Sequence, residues 1–243
     1  SFASDHGIIS DEFRQEIYLD DGDPQGSPIE LHFVIHDWNY LLDRNLARVL
    51  GDEPRQRIMA SSEALTLESS IPERFRWTRA MIDQLDALAG DDQRYEILSR
   101  CAHVFPKGQI AKLGVVFEAA RSQTGDPWQA VDAVIEFMIA DPGWGVRPQR
   151  RGATVYAAKN PRDPQAYAQA QTDAERKRAY CFCPLIRDHL AGGMSDTFCY
   201  CSAGWERQQW EGAIGRPVRV SVLKSLLTGD DLCEFAIHLP EDL

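Results

Sequence analysis

Nowhere in this 243-residue chain is there an apolar run long enough to cross a bilayer, since a spanning helix needs about 20 consecutive apolar residues. A membrane is therefore not an expected partner. Nor is there a basic stripe. Lys and Arg number 26 against 37 Asp and Glu, for a formal net charge of -11, whereas nucleic-acid binders carry clustered positive charge. The short patches Arg147, Arg150, Arg151 and Arg176, Lys177, Arg178 read as solvated faces, and nucleic acid is not expected either. Gly143-Trp144-Gly145 lacks the further glycine and the helix start of a dinucleotide fingerprint, so no nucleotide cofactor is expected. Residues Ser1 to Ile9 do not show the basic-then-apolar order of a secretion signal. Six cysteines are too sparse in a chain of this length for a disulfide scaffold. Together these absences predict a cytoplasmic protein whose thiols stay reduced.

What is present suits a folded core: 44% of residues are hydrophobic and 26% charged, near the average for a globular domain. Residues 1–30 are acidic and rich in turn formers, an N-terminal arm. From 31 to 145 helical spacing dominates. Apolar periodicity predicts helices over Leu31–Leu50, ended by Gly51 and kept from extending by Pro54, then over Pro72–Leu88 and Gln93–Phe105. Asp126-Pro127 is a helix start, an N-cap followed by Pro at the first helical position. Val131, Val134, Ile135 and Met138 would line that helix's buried face.

From 146 to 243 the character changes. Gly152–Lys159 reads as a strand and Pro164–Arg178 as one polar helix. Ser202 is read as the cap of a helix that Gly215 stops. Val218, Val220 and Val222 alternate, and Cys233, Phe235, Ile237 and Leu239 alternate after the turn Thr228–Asp231, so the chain is expected to close with a β-hairpin. The expectation is an α+β fold, a helical N-terminal half packed on a C-terminal module with an antiparallel sheet, the two forming one compact unit.

The chemistry concentrates in cysteine. Cys181-Phe182-Cys183 and Cys199-Tyr200-Cys201 lie within 21 residues, separated by Pro184–Phe198. In extended chain, residues two apart point to the same side, so two such pairs brought together could put four sulfurs around one ion. Zinc is then the leading candidate cofactor, with thiolates at about 2.3 Å. A single residue between the cysteines departs from the two-residue spacing of zinc ribbons. Reactive thiols, a labile disulfide, or small buried side chains are the other readings of the same residues.

Asp188-His189 lies between the pairs, and His189 is the histidine nearest the thiols in sequence, a candidate base or fourth ligand with Asp188 or Asp196 to orient it. Cys101 and Cys233 sit on apolar faces and are expected in the core. His103 and Lys107 follow Cys101 closely, but helical geometry sends residues two apart to different faces. His32 and His36 are spaced as helical metal ligands without the accompanying Glu of the zinc-protease motif. His238 is expected on the solvent side of the last strand.

The last sixty residues resemble a known pattern through Phe198-Cys199-Tyr200-Cys201-Ser202-Ala203-Gly204-Trp205, a helix ending before Gly215-Arg216-Pro217-Val218, and Gly229-Asp230-Asp231-Leu232-Cys233-Glu234-Phe235. This is similar to the 4-vinyl-reductase-like domain and the aminothiazoline-carboxylate hydrolase-like proteins. The resemblance implies an antiparallel sheet around a small-molecule pocket and, in sensor members, zinc held by cysteines with a glutamate. Here Leu223-Lys224-Ser225-Leu226-Leu227 stands where those members carry a cysteine, so Cys181 and Cys183 would have to complete a ligand set with Cys199 and Cys201.

Two functions follow as expectations. One is an enzyme acting on a small nitrogen- or sulfur-containing ring or amide, a hydrolase of C–N bonds. It would use a metal in the cluster to activate water, or Cys199 or Cys201 as nucleophile with His189 as base. The other is a sensor-like module that binds a small molecule among Trp205, Trp210 and Phe235, the cysteines holding the fold. The expected partner is a small-molecule ligand or substrate, and a homodimer is compatible with either reading.

Overall fold

The computed structural model of the protein describes residues 38–60, 69–102 and 108–243. The acidic arm, His32, His36, His103 and Lys107 lie outside the described residues. The fold is α+β. Six helices come first: α1 Trp38–Leu50, α2 Asp52–Met59, α3 Ile71–Leu88, α4 Asp91–Leu98, α5 Gln109–Thr124 and α6 Pro127–Ala140. Then follow β1 Val146–Arg151, β2 Thr154–Lys159, α7 Pro164–Gln169, α8 Asp173–Tyr180, α9 Tyr200–Ile214, β3 Arg219–Lys224 and β4 Glu234–His238. Among the described residues no helix is long and apolar enough to cross a membrane.

The strands form one antiparallel sheet in the order β1-β2-β4-β3. Val155 pairs with Ile237, which pairs with Val220, so apolar side chains line up across three strands on one face. That face, with Val146, Ala157 and Phe235, packs on Leu113 and Phe117 of α5, the Val131–Met138 face of α6, and Ala203, Trp210 and Ala213 of α9. A second core joins α1, α3 and α4 to Leu185, Ile186, Met194 and Phe198 of the segment between α8 and α9, and to Leu226. The sheet's core therefore draws on both sides of residue 145.

Local chemistry explains most boundaries. Ser70 and Glu73 close a capping box at the start of α3, where Ser70 N donates to Glu73 Oε2 at 2.8 Å. Asp126 accepts from Trp128 N at 2.8 Å to start α6, and Gly215, in the left-handed region, ends α9. The last two strands pair antiparallel as the alternation predicts, and His238 is exposed, 2.9 Å from Ser221 Oγ.

Several boundaries differ from the sequence reading. Pro54 does not hold off a helix. It sits in the first turn of α2, where the missing N–H is unpaired anyway. The third expected helix ends at Leu98 rather than running to 105. There the chain crosses α9 so closely that a Cβ on Gly204 would run into the Ser99 carbonyl. The polar helix after Pro164 is two helices, because Thr172 and Glu175 make a capping box that starts a new one. Ser202 caps nothing. Ser195 caps a 3-10 turn at Asp196–Cys199, α9 begins at Tyr200, and Ser202 lies inside it. Helix α5 and strand β1 were not anticipated. The residues of α5 are weakly amphipathic, only Leu113 and Phe117 being buried, and β1 is an edge strand with an arginine-rich sequence that tolerates Pro148.

Candidate functional site

A cavity of about 210 Å³ opens at the seam between the two cores. Five of the six cysteines line it: Cys181, Cys183, Cys199, Cys201 and Cys233. They arrive from three places. Helix α8 ends at Cys181, whose N–H bonds the Lys177 carbonyl at 3.0 Å. Its chain then turns through Cys183, whose carbonyl accepts from Arg187 N at 3.0 Å. Cys199 closes the 3-10 turn and Cys201 lies in the first turn of α9. Cys233 leads into β4, and its amide donates to Tyr180 Oη at 3.1 Å. The two Cys-x-Cys pairs line the same cavity, and Cys233 lines it with them, so its expected burial in the core is corrected to a place on the cavity wall. Cys101 is in the core, its thiol donating to the Ile97 carbonyl at 3.3 Å.

At neutral pH these thiols are protonated. Burial pushes Cys181 and Cys201 up to about 11 and raises Cys183, Cys199 and Cys233 as well, because a thiolate loses its hydration there. Hydrogen bonds to the sulfurs oppose burial, among them that of the Ser225 hydroxyl, 3.0 Å from Cys199 Sγ, and so does the positive charge of Lys159, which acts on Cys181, Cys199, Cys201 and Cys233.

Lys159 was missed by the sequence reading, which saw only the polar end of a strand. Its Nζ donates to Ser202 Oγ at 3.3 Å and lies 5.5 Å from the ring centres of Phe182 and Phe235 and 6.0 Å from that of Trp205. Its backbone is held by Tyr180, whose hydroxyl donates to the Lys159 carbonyl at 2.7 Å, and by the Lys159 N–H to Cys233 carbonyl bond at 3.0 Å. A second missed residue is Glu206, one turn beyond Ser202 on α9. It is fully enclosed, neither carboxylate oxygen has a hydrogen-bond partner among the described residues, and burial raises its carboxyl to about 7. The signal was there: Ala203, Glu206, Trp210 and Ala213 form one helical stripe, and Glu206 is its only charged member.

The other expected site residues separate. Trp205 lines the cavity. Phe235 is buried with its ring beside Lys159, and Trp210 is wholly buried in the sheet's core. His189 is not on the cavity wall; its ring packs on Phe75, centroids 4.9 Å apart. Asp188 forms an ion pair with Arg178. Among the described residues lining the cavity none is His, Asp or Glu. Among the described residues, too, no three or more His, Cys, Asp or Glu side chains are grouped to hold a metal ion. Two of the cavity sulfurs have hydrogen-bond partners: Cys199 Sγ lies 3.0 Å from Ser225 Oγ, and Cys201 donates to the Cys101 carbonyl at 3.5 Å.

Over residues 162–242 the chain matches a family of unknown function (DUF6144). That stretch contains all five cavity cysteines and Glu206, while Lys159 lies just before it. No curated protein and no solved structure matches the chain.

Proposed function

We propose that the protein binds a small molecule in the cysteine-lined cavity, as a sensor-like module. One observation carries this reading: five thiols, a lysine and the aromatic side chains of Phe182 and Trp205, drawn from separate stretches of the chain, converge on one recess of about 210 Å³. Apolar walls with a few convergent polar groups are the mark of a ligand site, and the volume suits a metabolite smaller than most drugs. The resemblance to vinyl-reductase-like proteins points the same way. All six cysteines are free, which supports a reducing compartment such as the cytoplasm.

A second reading, hydrolysis of a C–N bond in a small ring or amide, is favoured by Lys159, whose charge favours the thiolate of Cys199 and Cys201. The binding reading is preferred because His189 and Asp188, the expected base and its partner, are engaged elsewhere.

The deciding experiment starts from protein purified without added metal. Metal per chain and thiol count are measured before and after denaturation, and a small-molecule library is then screened by thermal shift. The binding reading expects saturable ligands whose effect is lost when Trp205→Ala or Cys199→Leu alters the cavity. Turnover of a ring amide that Cys199→Ser or Cys201→Ser abolishes without unfolding establishes the hydrolase instead. About one zinc per chain with four thiols protected until chelation establishes a metal-centred cluster.

A further inference from the structure

Lys159 is the only formally charged side chain among the described residues that line the cavity. An ammonium carries three donors, and the Ser202 hydroxyl takes one. Three rings surround it at the range, within about 6 Å, over which an aromatic face attracts positive charge. Two of those rings, Phe182 and Trp205, also line the cavity, and Phe182 is 41% exposed. The wall therefore offers a positive charge with donors to spare beside flat apolar surfaces. Glu206 lies one turn from Ser202 on the same face of α9, enclosed, with both carboxylate oxygens unpartnered among the described residues.

We propose that Lys159 anchors the carboxylate of a small, flat, apolar carboxylic acid, and that Glu206 takes up a proton as this ligand docks. The inference rests on the cavity being a small-molecule site and names the class of ligand. Among the described residues, Lys159 is the one ionisable group whose charge acts on Glu206. A ligand carboxylate beside Lys159 cancels that charge, removing what favours the ionised form of Glu206, so the buried carboxyl gains a proton. The other groups nearby do not compete for this role. Burial keeps the thiols of Cys181, Cys199, Cys201 and Cys233 protonated in both states. Arg207, next along α9, turns away to Ser99 Oγ at 3.1 Å and to Glu211 Oε2 at 3.7 Å.

The test uses matched carboxylate and amide pairs: phenylacetate and phenylacetamide, indole-3-acetate and indole-3-acetamide, hexanoate and hexanamide. Binding to the full chain is measured by calorimetry at pH 7 in buffers of differing ionisation heat. The expected result is that at least one acid binds ten-fold or more tighter than its amide, with uptake of up to about half a proton per ligand. Lys159→Arg keeps the preference for the acid and Lys159→Met loses it, while Glu206→Gln removes the proton uptake. Acids and amides binding equally well, or a preference that survives Lys159→Met, overturn the anchor while leaving the cavity reading intact. Proton uptake unchanged in Glu206→Gln overturns the role of Glu206. Binding of no member of any pair overturns the cavity reading and this proposal together.

Discussion

Lys159 and Ser202 meet across 43 positions of sequence, the ammonium of a strand end donating to a hydroxyl inside α9 at 3.3 Å. This contact joins the sheet to helix α9, and it brings a positive charge to the cavity's thiols. One turn along the same helix, Glu206 is fully buried. The polar character of the cavity comes from this strand-to-helix crossing at least as much as from the cysteines.

Glu206 makes stability depend on pH. Its carboxyl is raised by burial from 4.5 to about 7 in the folded protein. A group raised on folding contributes stability that is complete below its unfolded value. That stability falls away as the pH climbs from 4.5 towards 7, and it is gone above. The difference is on the order of 3 kcal/mol. Denaturant titrations at pH 5 and pH 8 should show this loss in the wild type, superimposed on other groups. Glu206→Gln should remove it and be the more stable of the two at pH 8. Parallel pH profiles for the two proteins would show that Glu206 is not ionising inside the fold.

The cavity thiols should react slowly and late in pH. With Cys181 and Cys201 raised to about 11, roughly one molecule in a thousand carries either thiolate at pH 8. Iodoacetamide labelling followed by mass spectrometry should give native rates some hundred-fold below those of the denatured chain. The rates should climb without a plateau to at least pH 10. Ser225→Ala, which removes the hydroxyl 3.0 Å from Cys199 Sγ, should slow labelling of Cys199 further. A rate plateau near pH 7 at any cavity cysteine would reveal a stabilised thiolate and revive the nucleophile reading.

Much of this was legible in the sequence where the signal is local. Asp126-Pro127 and Gly215 mark helix ends because capping is a matter of a few adjacent atoms, and the alternation around Val220 and Ile237 marks strands because side chains alternate. The paired cysteines could be read as one cluster for the same reason. Lys159 could not, since its meaning depends on Phe182, Trp205 and Phe235, which only the packed fold brings around it. His189 misled in the opposite sense. Its closeness to the thiols in sequence says nothing about which wall of the loop its ring faces, and the ring faces Phe75.

Gly204 is required for close approach rather than for turning. Its helical backbone suits any residue, yet a Cβ there would overlap the Ser99 carbonyl and approach the Ala102 Cβ at 2.9 Å. Backbone gives way less readily than a flexible side chain, so Gly204→Ala should cost at least the 1–3 kcal/mol typical of overpacking, about 3 or more here. Thermal unfolding followed by circular dichroism should show a fall in Tm of ten degrees or so, or no folded protein. A variant as stable as the wild type would mean that the chain just after α4 does not cross α9 this tightly.

His189 supplies the sharpest contrast between binding and thiol catalysis. It packs on Phe75, and Asp188 is engaged by Arg178, so neither side chain is positioned to take a proton from a cavity thiol. His189→Ala should therefore weaken packing by about 1–2 kcal/mol, as expected for trimming a part-buried ring. Ligand affinity at the cavity, measured by calorimetry, should stay within two-fold of the wild type, whereas Lys159→Met should lower it ten-fold or more. The opposite pattern, a folded His189→Ala protein that has lost all activity while Lys159→Met retains it, would place a mobile base at the thiols. The loop carrying Asp188 and His189 would then have to move toward the cavity during turnover.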